Sequence, residues 1–251
     1  MIARVLIIAG SDSGGGAGIQ ADIKAVSALG GHAMTAITAI TAQNTLGVTG
    51  VRPIPTDMVI AQMDAVLSDI GADAVKIGMI GSAETALAVA ERLEALQGVP
   101  VVFDPVMVAT SGSALADGAT IAAFDRLMRR ATVTTPNLPE LAALGGEAAV
   151  RGKTRALLIK GGHGDGGMLT DRLIDADGRE HVWRDSRIDT PHTHGTGCTM
   201  ASAIAIGLGQ GMSLPDAVTR ARAYVRAALL AAPGLGQGHG PVGFPVGPFQ
   251  P

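Results

Sequence analysis

The chain has 251 residues, a formal net charge of −3, 47% hydrophobic residues and only 2% aromatics. No basic patch stands out, which argues against a nucleic-acid partner, and no run approaches the roughly 18 apolar residues of a membrane span. The single cysteine excludes an internal disulfide and fits a reducing, cytoplasmic setting.

The segment from Ala3 to Gly10 reads as a buried strand through Val5-Leu6-Ile7-Ile8, and its apolar run is short for a signal segment. A turn follows, Ser11 to Gly18. It is either a substrate-side loop or a plain tight turn, because neither the dinucleotide spacing nor a Gly-Lys pair is present. Ile19 to Leu29 has helical spacing. His32 to Asn44 is extended and ends in Thr41-Ala42-Gln43-Asn44, where amides at a strand end suit a ligand's hydrogen-bond pattern or simply form a turn. Residues 47–55 read as a loop or short edge strand. Thr56 is expected to cap a helix over 57–70, and Ser82 one that runs through Leu96.

Ala74 to Ile80 and Val99 to Val106 are expected strands, the second ending in Asp104-Pro105. A carboxylate there is a common metal- or phosphate-side position in α/β folds. Ala119 to Arg130 is helical and Thr132 to Asn137 extended. Asn137 and Glu140 then lie one helical turn apart, placed either to face a cation or its waters or to cap a short helix. Gly152-Lys153-Thr154 looks like the end of a P-loop but lacks the preceding strand and first glycine. Ala156 to Lys160 is a strand ending in Lys160-Gly161-Gly162, where the lysine can reach a phosphate. Met168 to Ile174 and Glu180 to Ile188 read as a hairpin around Asp177-Gly178. A helix spans Ser213 to about Ala231. The tail from Pro233 to Pro251 is Gly/Pro-rich and expected to be irregular.

Alternating strands and helices imply one domain, a mostly parallel sheet with helices on both faces, and a ligand edge at the strands' C-terminal ends. The densest chemistry sits at His192-Thr193-His194-Gly195-Thr196-Gly197-Cys198-Thr199 before an apolar helical run. A Gly-rich turn entering a helix offers free N–H groups and the positive dipole end to an anion, and the same dipole favours a thiolate at Cys198. The alternative is a turn followed by a small buried cysteine.

Together these motifs resemble the ribokinase-like family of small-molecule kinases, and within it the hydroxymethylpyrimidine/phosphomethylpyrimidine kinases of thiamine synthesis. The resemblance is carried by residues 10–22, 38–45, 76–79, 104–107, 135–140, 160–163 and 193–199, in family order. It implies a three-layer α/β/α fold with a small β lid or hairpin. It implies ATP- and Mg²⁺-dependent phosphorylation of a hydroxymethyl group on an aminopyrimidine, then of the monophosphate, by a homodimer. Gln43 is then expected to read the pyrimidine edge, Asp22 and Gly10 to hold the ring, and Met79 and Val106 to wall it. Gly195, Thr196 and Gly197 form the anion hole and Cys198 stands at the base position. Lys160, with Asn137 and Glu140, binds ATP; Asp104 and Glu140 hold Mg²⁺ through water. The chain departs from the pattern at Gly14 and His192 and in a shortened span from Glu140 to Ala156. The competing expectations are a pyridoxal or pyridoxine kinase, and a non-catalytic ligand-binding or regulatory protein on the same fold.

Overall fold

The computed structural model describes residues 2–110, 112–163 and 166–246. Strand β1 (Arg4–Ser11) begins the sheet, because its continuous apolar run is buried on both faces. Alternate residues serve opposite layers. Leu6 and Ile8 pack with helices α2 (Thr56–Asp69), α3 (Ala83–Glu94) and α4 (Gly118–Arg130), whereas Val5, Ile7 and Ala9 pack with α1 (Gly18–Ala28), α7 (Thr196–Gly209) and α8 (Leu214–Leu230). The result is the three-layer α/β/α arrangement expected from the sequence. With few aromatics to use, both core layers are filled by Ala, Val, Ile, Leu and Met. Phe103 and Phe124 supply one edge-to-face pair with centroids 5.2 Å apart.

The sheet order is β3-β2-β1-β4-β5-β6-β7-β8-β9, built from β2 (His32–Asn44), β3 (Gly47–Pro53), β4 (Ala74–Ile77), β5 (Val101–Phe103), β6 (Val133–Thr134), β7 (Leu157–Ile159), β8 (Met168–Ile174) and β9 (Glu180–Ser186). From β2 through β7 neighbours are parallel; β3 at one edge and the β8–β9 hairpin at the other are antiparallel. Residues 47–53 therefore form an edge strand. The chain leaves β1 toward β2 on one side and enters β4 on the other. That reversal places a crevice at the C-terminal ends of the central strands.

Several expected strands end early: β4 stops at Ile77, β5 at Phe103 and β6 at Thr134. The residues beyond them, Met79, Asp104 and Asn137, are released into the loops that build the crevice. Thr56 does not cap α2. Pro55 holds the N-cap position, and the Thr56 hydroxyl lies 3.0 Å from that of Thr85. Ser82 does cap α3 by accepting from the Thr85 N–H. Between α5 (Leu138–Ala143) and β7 a short helix, α6 (Glu147–Arg151), occupies the shortened span.

The described part of the tail has no helix or strand, yet it is pinned across the molecule. The N–H of His239 donates to the Thr45 carbonyl, the N–H of His194 to the Gly240 carbonyl, and the N–H of Gly243 to the Ala228 carbonyl. Val242 is buried. Residues 247–251 lie outside the described part.

Candidate active site

Helix α7 points its N-terminus into the crevice. Its cap, Gly195, has φ +91°, and a Cβ there would lie 1.8 Å from the Gly16 carbonyl oxygen, so only glycine fits. Gly197 and Cys198 belong to the first turn, whose N–H groups have no acceptor within the helix. A Cβ on Gly197 would stand 3.5 Å from Asp104 Oδ2 and 3.6 Å from Lys160 Nζ, which places the helix end against that pair.

Lys160 Nζ donates to Asp104 Oδ1 at 2.6 Å, and the Thr135 hydroxyl donates to the same oxygen at 3.0 Å. Burial lowers the Lys160 pKa, but Asp104 and Glu140 outweigh it and the net shift is upward. Asn137 and Glu140 form a capping box on α5: the Asn137 side chain accepts from the Glu140 N–H, and Glu140 Oε2 accepts from the Asn137 N–H. Both side chains thus have a structural task, and one Glu140 oxygen remains for other work. Burial pushes the Glu140 carboxyl up to about 7 against the pull of Lys160, with Asp104 adding to the rise. Among the described residues no group of three or more His, Cys, Asp or Glu side chains forms a metal cage. The donor set is the Asp104 and Glu140 carboxyl groups beside the N-terminus of α7. That suits a Mg²⁺ that keeps its waters and leans on substrate phosphates.

Cys198 requires a correction. The helix end was expected to favour its thiolate; instead burial pushes the thiol up to about 11. Lys76 pulls it down, Asp22 and Asp104 push it up, and the Gly18 N–H pulls it down again. The desolvation outweighs the dipole, so near neutral pH Cys198 is a thiol.

Gln43 lies half-buried at the end of β2 and Met79 half-buried just past β4, the strands on either side of β1, and Val106 stands half-buried two residues beyond Asp104. A Cβ on Gly10 would meet Met79 Sδ at 2.9 Å, so the glycine gives the Met79 side chain its place across the end of β1. Asp22 is elsewhere. It is fully buried beneath the crevice, where it accepts from Lys76 Nζ at 2.8 Å and from the Ser202 hydroxyl at 2.7 Å. Its carboxylate has no exposed surface to offer a ring, so its contribution comes from below, through Lys76 and α7. Lys76 is also fully buried, and a Cβ on Gly78 would lie 2.7 Å from its ammonium, so that glycine makes room for the charge.

Two residues without an assigned role stand at the centre of the crevice. Asp12 Oδ2 accepts from the N–H groups of Gly16 and Ala17 at 3.0 and 2.8 Å, and Oδ1 accepts from Gly14 N–H at 2.8 Å. His194 is buried, with Nε2 2.9 Å from Asp12 Oδ2 and 3.3 Å from the Gln43 amide. Burial raises the Asp12 pKa, but His194 and the loop N–H groups outweigh it and the net shift is downward. An Asp before a glycine run is the local signal for such a turn; the pairing with His194, 182 residues on, has no local signal. Two cavities of 620 and 530 Å³ open elsewhere, around Arg155, Ala156 and Asp175, and contain none of these groups.

The family model described as phosphomethylpyrimidine kinase matches residues 12–243. The chain belongs to the phosphomethylpyrimidine kinase family. It is 49% identical to the hydroxymethylpyrimidine/phosphomethylpyrimidine kinase of Rhizobium meliloti, over 96% of this chain and 97% of that one. Its fold is that of Bacillus subtilis pyridoxal kinase, solved with ADP (TM-score 0.88, 32% identity, 97% and 98% of the two chains). It also matches phosphomethylpyrimidine kinase from Clostridium difficile (TM-score 0.78, 37% identity, 90% and 99%). The matched span takes in the tail strap, in keeping with its contacts to Thr45 and His194.

Proposed function

We propose that this kinase transfers the γ-phosphoryl group of ATP to 4-amino-5-hydroxymethyl-2-methylpyrimidine, and then to the monophosphate, in thiamine biosynthesis. One observation carries the reading. A single crevice joins an amide able to read an aminopyrimidine edge, Gln43, to a helix end flanked by the Asp104–Lys160 pair. Gln43 pairs with a ring nitrogen and its neighbouring amine, since an amide both donates and accepts. Met79 and Val106 wall the ring. The first-turn N–H groups around Gly195, Thr196 and Gly197 receive the transferred phosphoryl oxygens, and Lys160 holds the ATP phosphates. Asp104 and the second oxygen of Glu140 would hold a Mg²⁺, which would supply charge neutralisation for the phosphates. Phosphoryl transfer depends mainly on positioning and electrostatics, so the acceptor alcohol loses its proton late and needs only modest help. Cys198, a thiol near neutral pH, orients that hydroxyl, whose proton passes to a phosphoryl oxygen as the new O–P bond forms.

Pyridoxal is the second substrate to test, because the fold superposes so closely on a pyridoxal kinase. ADP release with Mg·ATP, measured with the pyrimidine alcohol, its monophosphate and pyridoxal side by side, decides. Turnover with both pyrimidines supports the two-step reading, and preference for pyridoxal overturns it. We further propose one catalytic domain over residues 1–251, a homodimer and a cytoplasmic location. The family resemblance supports the dimer and the lone cysteine the reducing compartment; sedimentation tests the former.

A further inference from the structure

We propose that His194, held by Asp12 and clamped by the tail strap, is the positioning residue that fixes which way the Gln43 amide faces, and so sets the donor–acceptor order read on the substrate ring. This rests on the reading that Gln43 meets the pyrimidine edge.

Asp12 is an ionised carboxylate and accepts only, so the Nε2 of His194, 2.9 Å away, carries its hydrogen toward it. A nitrogen that donates has no lone pair left for a second donor. The structure sets the Gln43 amide nitrogen 3.3 Å from His194 Nε2, donor against donor, so we assign the amide the opposite turn, with Oε1 toward His194. The other end of the amide gives an independent check. There the structure sets Oε1 3.3 Å from Thr41 Oγ1, whose single hydrogen goes instead to the nearer Ser11 carbonyl at 2.9 Å. A lone pair of Thr41 is thus left to accept from the Gln43 NH₂. Both ends agree on one orientation: acceptor beside His194, donor beside Thr41. A ring nitrogen then binds on the Thr41 side, and the exocyclic amine on the His194 side.

His194 is built to stay fixed. Its N–H donates to the Gly240 carbonyl, its carbonyl accepts from the Val242 N–H, and Nδ1 lies 3.3 Å from the Thr110 hydroxyl. A Cβ on Gly16 would come within 2.5 Å of its ring and 3.0 Å of Pro241, so that glycine lets loop, ring and strap close together.

The test compares kcat/KM for the aminopyrimidine with that for its 4-oxo analogue, whose ring N–H and carbonyl reverse the donor–acceptor order. The wild type prefers the amine. In His194→Leu the amide is free to turn, and the preference narrows by about tenfold or more. His194→Gln, which can still donate to Asp12, retains most of it. A His194→Leu enzyme with the wild-type ratio overturns the proposal. Nitrogen-15 NMR of the wild-type protein reads the tautomer without activity or mutation. A hydrogen on Nε2 supports the proposal, and a neutral ring protonated at Nδ1 overturns it even if His194→Leu does not fold. Gln43→Leu separates the two readings: an unchanged KM for the aminopyrimidine refutes the role of Gln43 itself, whatever the His194 variants do.

Discussion

Gly197→Ala separates anion binding from folding. A Cβ at this position would make ordinary contacts, 3.5 Å from Asp104 Oδ2 and 3.6 Å from Lys160 Nζ, and the backbone there is helical. Alanine in a helix is worth about 0.5–1 kcal/mol over glycine. For a chain of this size that gain raises Tm by roughly 1–4 °C. The same methyl stands between the helix end and the Asp104–Lys160 pair, where the transferred oxygens must reach N–H groups. Displacing one well-placed donor of that kind costs about 10²–10³ in kcat. The expected variant is therefore slightly more stable and nearly inactive. Differential scanning fluorimetry and ADP release measure the two quantities on one sample. A stable variant with kcat within about threefold of wild type would refute the assignment of the phosphoryl site, since the donor effect it should remove is far larger. Gly195→Ala cannot make this distinction, because its Cβ would lie 1.8 Å from the Gly16 carbonyl oxygen at φ +91° and would damage the fold as well.

Three further outcomes are expected. The folded Glu140 carboxyl holds its proton up to about 7, above its ordinary 4.5, so stability contributed by this group is present below about pH 4.5 and lost as pH rises toward 7. Glu140→Gln should match wild type near pH 4.5 and exceed it at pH 8 by on the order of 1–3 kcal/mol; a pH-independent difference in urea unfolding argues against the shift. Lys76→Met leaves the Asp22 carboxylate buried without its cation and should cost about 3–5 kcal/mol, part of it recovered when Asp22→Asn is added. An additive double variant would mean the pair is not coupled. The Cys198 thiol, near 11, should react slowly with iodoacetamide at pH 7 and about tenfold faster per pH unit up to pH 10. Fast alkylation that does not change with pH would place the thiolate at neutral pH after all.

The fold was legible because its signals are local and repeated. The apolar run of β1, the Ser82 cap and the Met168–Ile174 strand follow from periodicity and turn chemistry, and the order of motifs pointed to the sheet edge where Gln43, Asp104, Asn137 and Lys160 do emerge. What was not legible depends on distance or on burial. Lys76 in an apolar strand is an anomaly in the sequence, but its partner Asp22 is 54 residues away. The position of Cys198 at a helix start is visible; the desolvation that outweighs the dipole is a property of the packed interior. The Gly-rich tail looked loose for a similar reason. Its glycines permit close approach: a Cβ on Gly238 would lie 2.2 Å from the Thr45 carbonyl oxygen, and one on Gly240 would lie 2.2 Å from His192 Nδ1. Composition alone does not distinguish glycine that frees a chain from glycine that lets it pack.

The same geometry explains why the site can bury so much charge and still fold. Lys76 is neutralised by Asp22 and Lys160 by Asp104, so neither ammonium is left unpaired in the interior. The helix end adds a partial positive charge beside the Asp104–Lys160 pair, where it would favour a phosphate. Glu140 and Cys198 answer to that balance. Asp104 raises the pKa of each, and Lys160 and Lys76 respectively lower it. Positive charge brought in beside Asp104 would move both groups toward their ionised forms. A divalent cation held there would ease loss of the Cys198 proton and anionic phosphates would oppose it, so the thiol serves to orient the acceptor alcohol rather than to deprotonate it.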